Sequence, residues 1–409
     1  MTANNKQILI LGAGYAGMMT AVRLAGKAGR AHADITIVNA IEDFVERPRL
    51  HEQATGTRID SRPITRMLKG TGVRFVQGRV TAIDPGLKQV RVEQQEGERL
   101  YAYDYLVLAL GSRVDRWAVP GVDEHAYTLD PYGSQTAEAL ETRLAELATR
   151  PFGAVVVGGG ATGVEAAAEI KGRYPNAEVS IVTHGRVGAF KGRKIEAHVR
   201  QALAEQSITS VEHARVVRVE QDRLVLENGG QPADLIVWAG GFVASPLARQ
   251  AGLKTNSRGQ VRVDPYLRSV SHPDIYAIGD AADPIEEPGA PWRMSLFTAL
   301  VSGAQAADNL AAALKGRPLR PLSYAWYGQA IALGPADAVG FSTYPADRPW
   351  PLIFRRTLAV RLRAFFVWYL GAALEIERRI PGSFFWNGKS RFEKSRAGKP
   401  SAQPREQTN

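Results

Sequence analysis

The sequence predicts an α/β fold in two doubly wound halves, the second inserted in the first, followed by a C-terminal amphipathic helical region. Three observations predict it. First, two glycine-rich turns of one kind, Gly12-Ala13-Gly14-Tyr15-Ala16-Gly17 and Gly158-Gly159-Gly160-Ala161-Thr162-Gly163, stand 146 positions apart. Second, each turn follows an apolar strand pattern (7–11 and 154–157) and opens an alanine-rich helix pattern (18–28 and 164–171). Third, beyond Pro321 the composition turns aromatic and basic. In such a turn the first glycine permits the sharp bend and the second lets backbone approach a pyrophosphate. The third lets the helix pack on the strand with its N-terminus aimed at the phosphates. One such turn is weak evidence. A pair in strand–turn–helix context predicts two Rossmann-like dinucleotide-binding domains, with a flavin and a nicotinamide as the natural pair.

The elements follow in order. Residues 7–38 read as a strand–helix–strand unit closing on the strand 34–38. Residues 73–101 alternate in short strands, 73–77 and 90–94, with turns at Asp84-Pro85-Gly86 and Gln95-Glu96-Gly97. That pattern predicts an inserted β-meander. An apolar strand, 105–110, stops at Gly111-Ser112. After Pro120-Gly121 a new unit carries the second glycine turn and the strands 179–182, 215–219, 223–226 and 235–239, the last ending at Gly240-Gly241. Residues 259–278 return to the first unit and end at Gly279-Asp280, before a helix over 295–314. The expected division is 1–117 and 242–320 for the flavin (FAD) domain and 118–241 for the nicotinamide (NAD(P)) domain. Residues 321–393 form a membrane-associating or dimerising region, and 394–409 a polar, disordered tail.

With 409 residues the chain can bury more than one core. It has no cysteine. That excludes a redox-active disulfide, a thiol nucleophile, an iron–sulfur cluster and a cysteine zinc site. No metal site is expected. The N-terminus runs directly into its first strand, so no signal peptide is read. No uncharged apolar run approaches the roughly 20 residues of a spanning helix. The net charge of +10 is localised: from Lys315 onward there are 16 Lys and Arg against 6 Asp and Glu, which leaves the first 314 residues neutral. A local partner is therefore expected for the C-terminal region, and no nucleic-acid module is recognisable.

The order of motifs is Gly12–Gly17, then 104–112, the second glycine turn, 234–241 and Gly279-Asp280. This order resembles the two-dinucleotide-binding flavoprotein superfamily, which includes glutathione reductase and the ferredoxin reductases. Within it, the chain is similar to type II NADH dehydrogenases, the single-subunit NAD(P)H:quinone reductases. The resemblance implies FAD on Gly12, Gly14 and Gly17, with Ala16, Arg47, Val80, Ala109 and Gly111 around it. It implies Asp280 on the ribityl chain beside Gly279, and Asn39 where an acidic residue commonly holds the adenosine ribose. The loop 46–51 is placed near the flavin. For the nicotinamide nucleotide it implies Gly158, Gly160, Thr162, Gly163 and Gly240. Glu165 faces the reacting rings as a proton or positioning group.

Nucleotide choice turns on the end of the strand 179–182. Thr183-His184-Gly185-Arg186 carries no carboxylate there, and Lys191, Arg193 and Lys194 follow. A guanidinium suits a 2′-phosphate, so His184 and Arg186 predict NADPH or dual use. The resemblance makes quinone the expected acceptor. The family's Ala-Gln-x-Ala-x-Gln helix is matched at 298–304, but Leu300 and Ser302 depart from it. The alternatives are reduction of a small redox protein, as in ferredoxin reductases, and a non-catalytic redox sensor like apoptosis-inducing factor. In the segment 355–379, Leu358, Leu362, Phe365, Phe366, Tyr369 and Ala373 share a helical face. Only eleven residues there are uncharged in a row, which predicts a helix lying on the inner face of the cell membrane rather than crossing it. Its alternative use is to cover the flavin domain or join a homodimer.

Overall fold

In the computed structural model, which describes residues 5–28, 33–189, 192–286, 290–344, 347–386 and 388, the first sheet has five strands. Their order is Ile275–Ala277, Tyr105–Leu108, Lys6–Leu11, Ala33–Asn39 and Arg74–Gln77, all parallel. The apolar runs follow from that position, because a parallel sheet is covered on both faces. The helix Tyr15–Ala28 packs against Leu296–Leu314 so closely that a Cβ on Gly303 would lie 2.4 Å from the Ala16 carbonyl oxygen. Ser295 caps the second of these helices, accepting from the Thr298 amide. Lys191, the basic stretch 389–399 and the tail 394–409 lie outside the described residues.

One strand assignment is corrected. Arg74–Gln77 pairs in parallel with the Ala33–Asn39 strand and completes the main sheet. The meander is instead Arg79–Asp84, Gln89–Gln94 and Gly97–Ala102, antiparallel throughout. A four-residue alternation cannot say which sheet it joins; pairing partners decide that.

The chain leaves the first sheet after Leu108 and builds a second from Tyr127–Thr128, Phe152–Val157, Ala177–Val182, Thr209–Val211 and Leu235–Trp238. It then returns to the first sheet at Ile275. Two short antiparallel strands, Ser112–Val114 and Phe242–Ala244, carry the chain out and back side by side. A three-stranded antiparallel sheet, Gly328–Ala332, Ala338–Thr343 and Pro349–Arg355, leads into the helix Arg356–Arg379.

This last helix fills the segment 355–379 in which the sequence places one. It has 24 residues and, by length and composition alone, is long and apolar enough to cross a membrane. Two arginines interrupt its apolar stretch: Arg361 stands exposed, and Arg363 turns inward to Glu52. Its C-terminal third is held in the protein, however. Ala373, Leu374 and Glu377 are buried. Glu377 pairs with the buried Arg23 of the first helix at 3.1 Å, and Arg23 also makes two bonds to Asp308 (2.8 and 2.9 Å) and one to the Phe384 carbonyl.

Candidate dinucleotide site

The two glycine turns fold alike for local reasons. Gly12 has φ +99°, and a Cβ on it would meet the Ala109 carbonyl at 2.4 Å. A Cβ on Gly17 would lie 1.9 Å from the Gly12 carbonyl oxygen. The second turn repeats this: Gly158 has φ +126° with the Ala239 carbonyl at 2.7 Å, and a Cβ on Gly163 would lie 1.9 Å from the Gly158 carbonyl. The middle glycines differ. A Cβ on Gly14 or Gly160 would meet nothing within 4 Å. The outer glycines are thus required by packing, and the middle ones face open space at a helix N-terminus. That is a cradle for a pyrophosphate, occupied by no side chain.

Both turns open onto one cavity of about 250 Å³. Gly14, Ala16, Arg47, Ala109, Gly111, Gly279 and Asp280 line it from the first half, and Thr162 and Glu165 from the second. Nine of the expected residues therefore meet at one place. Arg47 is held there by the Ser112 carbonyl at 2.6 Å and by Asp130 at 3.2 Å. The Ser112 hydroxyl donates to Asp280 at 2.6 Å. Burial pushes the Asp280 carboxyl above its ordinary range, against the pull of Ser112 and Arg47.

Other expected residues stand elsewhere. The Asn39 Oδ1 accepts from the Ala13 amide at 3.0 Å and its Nδ2 donates to the Ile41 carbonyl at 2.9 Å. Asn39 thus fixes the glycine turn, and its side chain also hydrogen-bonds Tyr132. Val80 does not line the cavity; it pairs with Val92 in the meander. Gly240 packs on the Trp238 ring. His184 is exposed at the end of the strand Ala177–Val182. Arg186 bonds to Glu196, while Arg200 bonds to both Glu196 and Glu212. Glu212 also accepts from the Val187 amide. The loop that lacks a carboxylate in sequence receives two from other elements. Leu300 and Ser302 face away from the cavity. Leu300 is fully buried, and the Ser302 hydroxyl accepts from the Gly279 amide at 2.8 Å. Their departure from the glutamine pattern lies behind the cavity wall.

Sequence reasoning missed a group of charges at the mouth. Arg363 of the last helix donates to Glu52 (2.9 Å), shares a bond with His51 Nε2 (3.0 Å) and lies 3.7 Å from Glu165. His51 lines the cavity. Burial holds its imidazole below its ordinary pKa, so Nε2 is an acceptor for the guanidinium. Burial alone would raise Glu52, but bonds from Arg363 and Arg49 outweigh it and hold the carboxyl low. These partners are some 312 positions apart in the chain, and no local motif marks them.

Residues 6–306 match the family described as pyridine nucleotide-disulphide oxidoreductase. The chain belongs to that family. It is a two-dinucleotide oxidoreductase of the FAD and NAD(P) type, although it carries no cysteine. It is 31% identical over 356 residues to demethylphylloquinone reductase NdbB of Synechocystis sp., covering 83% of this chain and 87% of that protein. It is 28% identical over 389 residues to the type II NADH:quinone oxidoreductase of Haemophilus influenzae, covering 83% and 87%. The NADH complex of NDH2 from Plasmodium falciparum superposes with a TM-score of 0.75 at 17% identity, over 94% of this chain and 100% of that one. At that identity the structural likeness speaks to the fold alone.

Proposed function

We propose that this oxidoreductase takes electrons from NAD(P)H on FAD and passes them to a membrane quinone. The observation that carries the reading is the meeting of the first glycine cradle, through Gly14, with Thr162 of the second turn at one cavity, with Asp280 and Glu165 on its walls. FAD, when bound, would supply the hydride acceptor and two-electron donor that no side chain here can supply. Gly12, Gly14 and Gly17 would hold its pyrophosphate, and Asp280 its ribityl hydroxyls. Arg47, clamped by Ser112 and Asp130, would present a fixed positive charge to its ring system. Gly158, Gly160 and Gly163 would hold the nicotinamide nucleotide, with Thr162 and Glu165 beside the reacting face. In this reading, residues 1–117 and 242–320 make the flavin domain, 118–241 the nicotinamide domain and 321–393 the membrane region. The names of the relatives support quinone as acceptor.

The last helix supports a membrane address. Phe365, Phe366 and Trp368 are 54%, 53% and 65% exposed, with Leu358 and Tyr369 on the same surface. Arg355, Arg356 and Arg361 stand exposed near them. Exposed aromatics beside arginines suit the headgroup layer of an anionic bilayer. A lipid-soluble acceptor would then enter past Arg363. NADPH or dual nucleotide use is supported by the exposed His184 and by Arg186, whose side chain is 56% exposed in its pair with Glu196.

The test is anaerobic reduction of the flavin-loaded protein by NADH and by NADPH, each followed by a soluble menaquinone analogue. Rapid bleaching and rapid return of the flavin colour are expected. Return of colour only with a ferredoxin-type protein, and with no quinone, would overturn the reading.

A further inference from the structure

The helix Ala161–Arg173 carries a second carboxylate one turn beyond Glu165. Glu169 is buried at 8% exposure. Among the described residues it has no ion-pair partner and no hydrogen-bond donor. Its surroundings are charged. On its own helix stand Glu165 and, one turn the other way, the exposed Arg173; on the helix Leu50–Gln53 stand His51 and Glu52, and on the last helix stands Arg363. The strand Gly328–Ala332, also packed on this helix, has no titratable side chain, and neither has Phe152–Val157. Ala177–Val182 offers only Glu178, which is exposed.

Arg62 pairs with Glu46, Arg49 with Glu46 and Glu52, and Arg363 with Glu52 and Glu165. Three guanidiniums thus take up Glu46, Glu52 and Glu165, and Glu169 is in none of these pairs. A buried carboxylate without a counter-charge takes up a proton. That proton sits one helical turn from Glu165, which lines the cavity.

We propose that Glu169 is the proton store of the acceptor site. This rests on the quinone-reductase reading. NAD(P)H gives up a hydride, which is two electrons and one proton, whereas a quinone takes two electrons and two protons to become a hydroquinone. The missing proton leaves the Glu169 carboxyl, passes by way of Glu165 and forms an O–H bond on the reduced acceptor. Glu169 is left as a carboxylate and regains a proton from solvent before the next turnover. Burial first, then the neighbouring Glu52, pushes the Glu169 carboxyl up to about 7, where a store must sit to be both full and able to give. Arg363 donates to Glu52 at 2.9 Å and stands 3.7 Å from Glu165 while making no bond to Glu169, which makes it a positioning residue.

The experiment compares the flavin-loaded wild type with Glu169→Gln and Glu169→Asp. Infrared titration of the wild type should show one protonated carboxyl disappearing as pH rises through about 7, and Glu169→Gln should lack that band. In rapid mixing, reoxidation by a soluble quinone should slow about tenfold in Glu169→Gln. Its rate should no longer fall as pH rises, and Glu169→Asp should restore part of that slope. A wild type with no such carboxyl band, or a Glu169→Gln profile that overlays the wild type, overturns the proposal. If no quinone reoxidises the protein, the functional reading falls and the store falls with it. Normal quinone turnover with an unchanged pH profile removes the store alone. Should Glu169→Gln fail to fold, the wild-type band and the Glu169→Asp profile decide.

Discussion

Arg23→Ala should release the last helix from the body of the protein. The Arg23 side chain is 5% exposed and the Glu377 side chain 0%. Truncation removes the bond to Glu377 at 3.1 Å, the fork on Asp308 and the bond to the Phe384 carbonyl. Asp308 keeps Lys27 at 2.6 Å and is 28% exposed, so water and Lys27 compensate much of its loss. Glu377 keeps donors from Gly382, Ser383 and Phe384 but loses the only guanidinium it has among the described residues. Breaking one partner of a buried pair costs about 3–5 kcal/mol. We take ~3 kcal/mol here, because those neutral donors remain. Since Glu377 belongs to the last helix, the loss falls on its local opening. A change of that size raises the opened population roughly 100-fold. Hydrogen exchange read across residues 371–384 should therefore accelerate by about two orders of magnitude, with the strands of the first sheet unchanged. Arg23→Lys should recover less than half, because a lysine cannot fork onto Asp308 and reach Glu377 together. Unchanged exchange at 371–384 would refute the argument that this ion pair fastens the helix.

Four further outcomes are expected. Gly14→Val should fold with native circular dichroism and purify colourless, because its Cβ meets no protein atom; a yellow Gly14→Val protein would sink the first-site assignment. Arg186→Glu should raise the KM for NADPH about tenfold or more while leaving NADH nearly alone; equal effects on both nucleotides would remove the phosphate role. Phe365→Glu with Trp368→Glu should abolish sedimentation with anionic vesicles, since each buried aromatic contributes about 1.5–3 kcal/mol; undiminished sedimentation would point to another surface. Because the Glu169 carboxyl is raised from 4.5 to about 7, the folded protein binds more protons than the unfolded chain between those values. Its contribution to stability is therefore full at low pH and is lost as pH rises through about 7. Glu169→Gln should then gain on the order of 1–3 kcal/mol relative to wild type at pH 8, read from urea midpoints; a variant that loses stability at pH 8 would contradict a buried, strained carboxylate.

Much of the site was legible because its demands are local. Gly12 and Gly17 must be glycine to clear a carbonyl within a few residues or one strand away, and such demands leave a motif. The apolar runs of the parallel strands are legible for the same reason. What depends on distant partners was not. Arg74–Gln77 alternates like a meander strand, and only its pairing with Thr36–Asn39 places it in the main sheet. Asn39 reads as a ribose ligand, whereas its amide is already engaged by Ala13 and Ile41. The basic loop after residue 182 reads as a free cationic patch, but Glu196 and Glu212 reach it from a helix and a strand end. His51, Glu52 and Arg363 meet only because the last helix folds back over the first half of the chain. The helix Arg356–Arg379 itself was legible, because Leu358, Leu362, Phe365, Phe366, Tyr369 and Ala373 recur at helical spacing.

The nested path of the chain has a consequence for synthesis. The strand Ile275–Ala277 pairs with Tyr105–Leu108, and the helix Leu296–Leu314 covers Tyr15–Ala28. The first sheet therefore cannot close until nearly three hundred residues have emerged. At about 5–20 residues per second, the strand ending at Leu108 waits ~10–30 s for its neighbour. The second sheet lies wholly within residues 127–238 and can fold on the ribosome as soon as it emerges. The order of folding thus inverts the order of translation: the inserted half forms first and brings the two ends of the outer half together. An apolar strand with one edge unpaired for that interval is a binding site for chaperones and an aggregation hazard. Slow, chaperone-supported expression follows from topology alone.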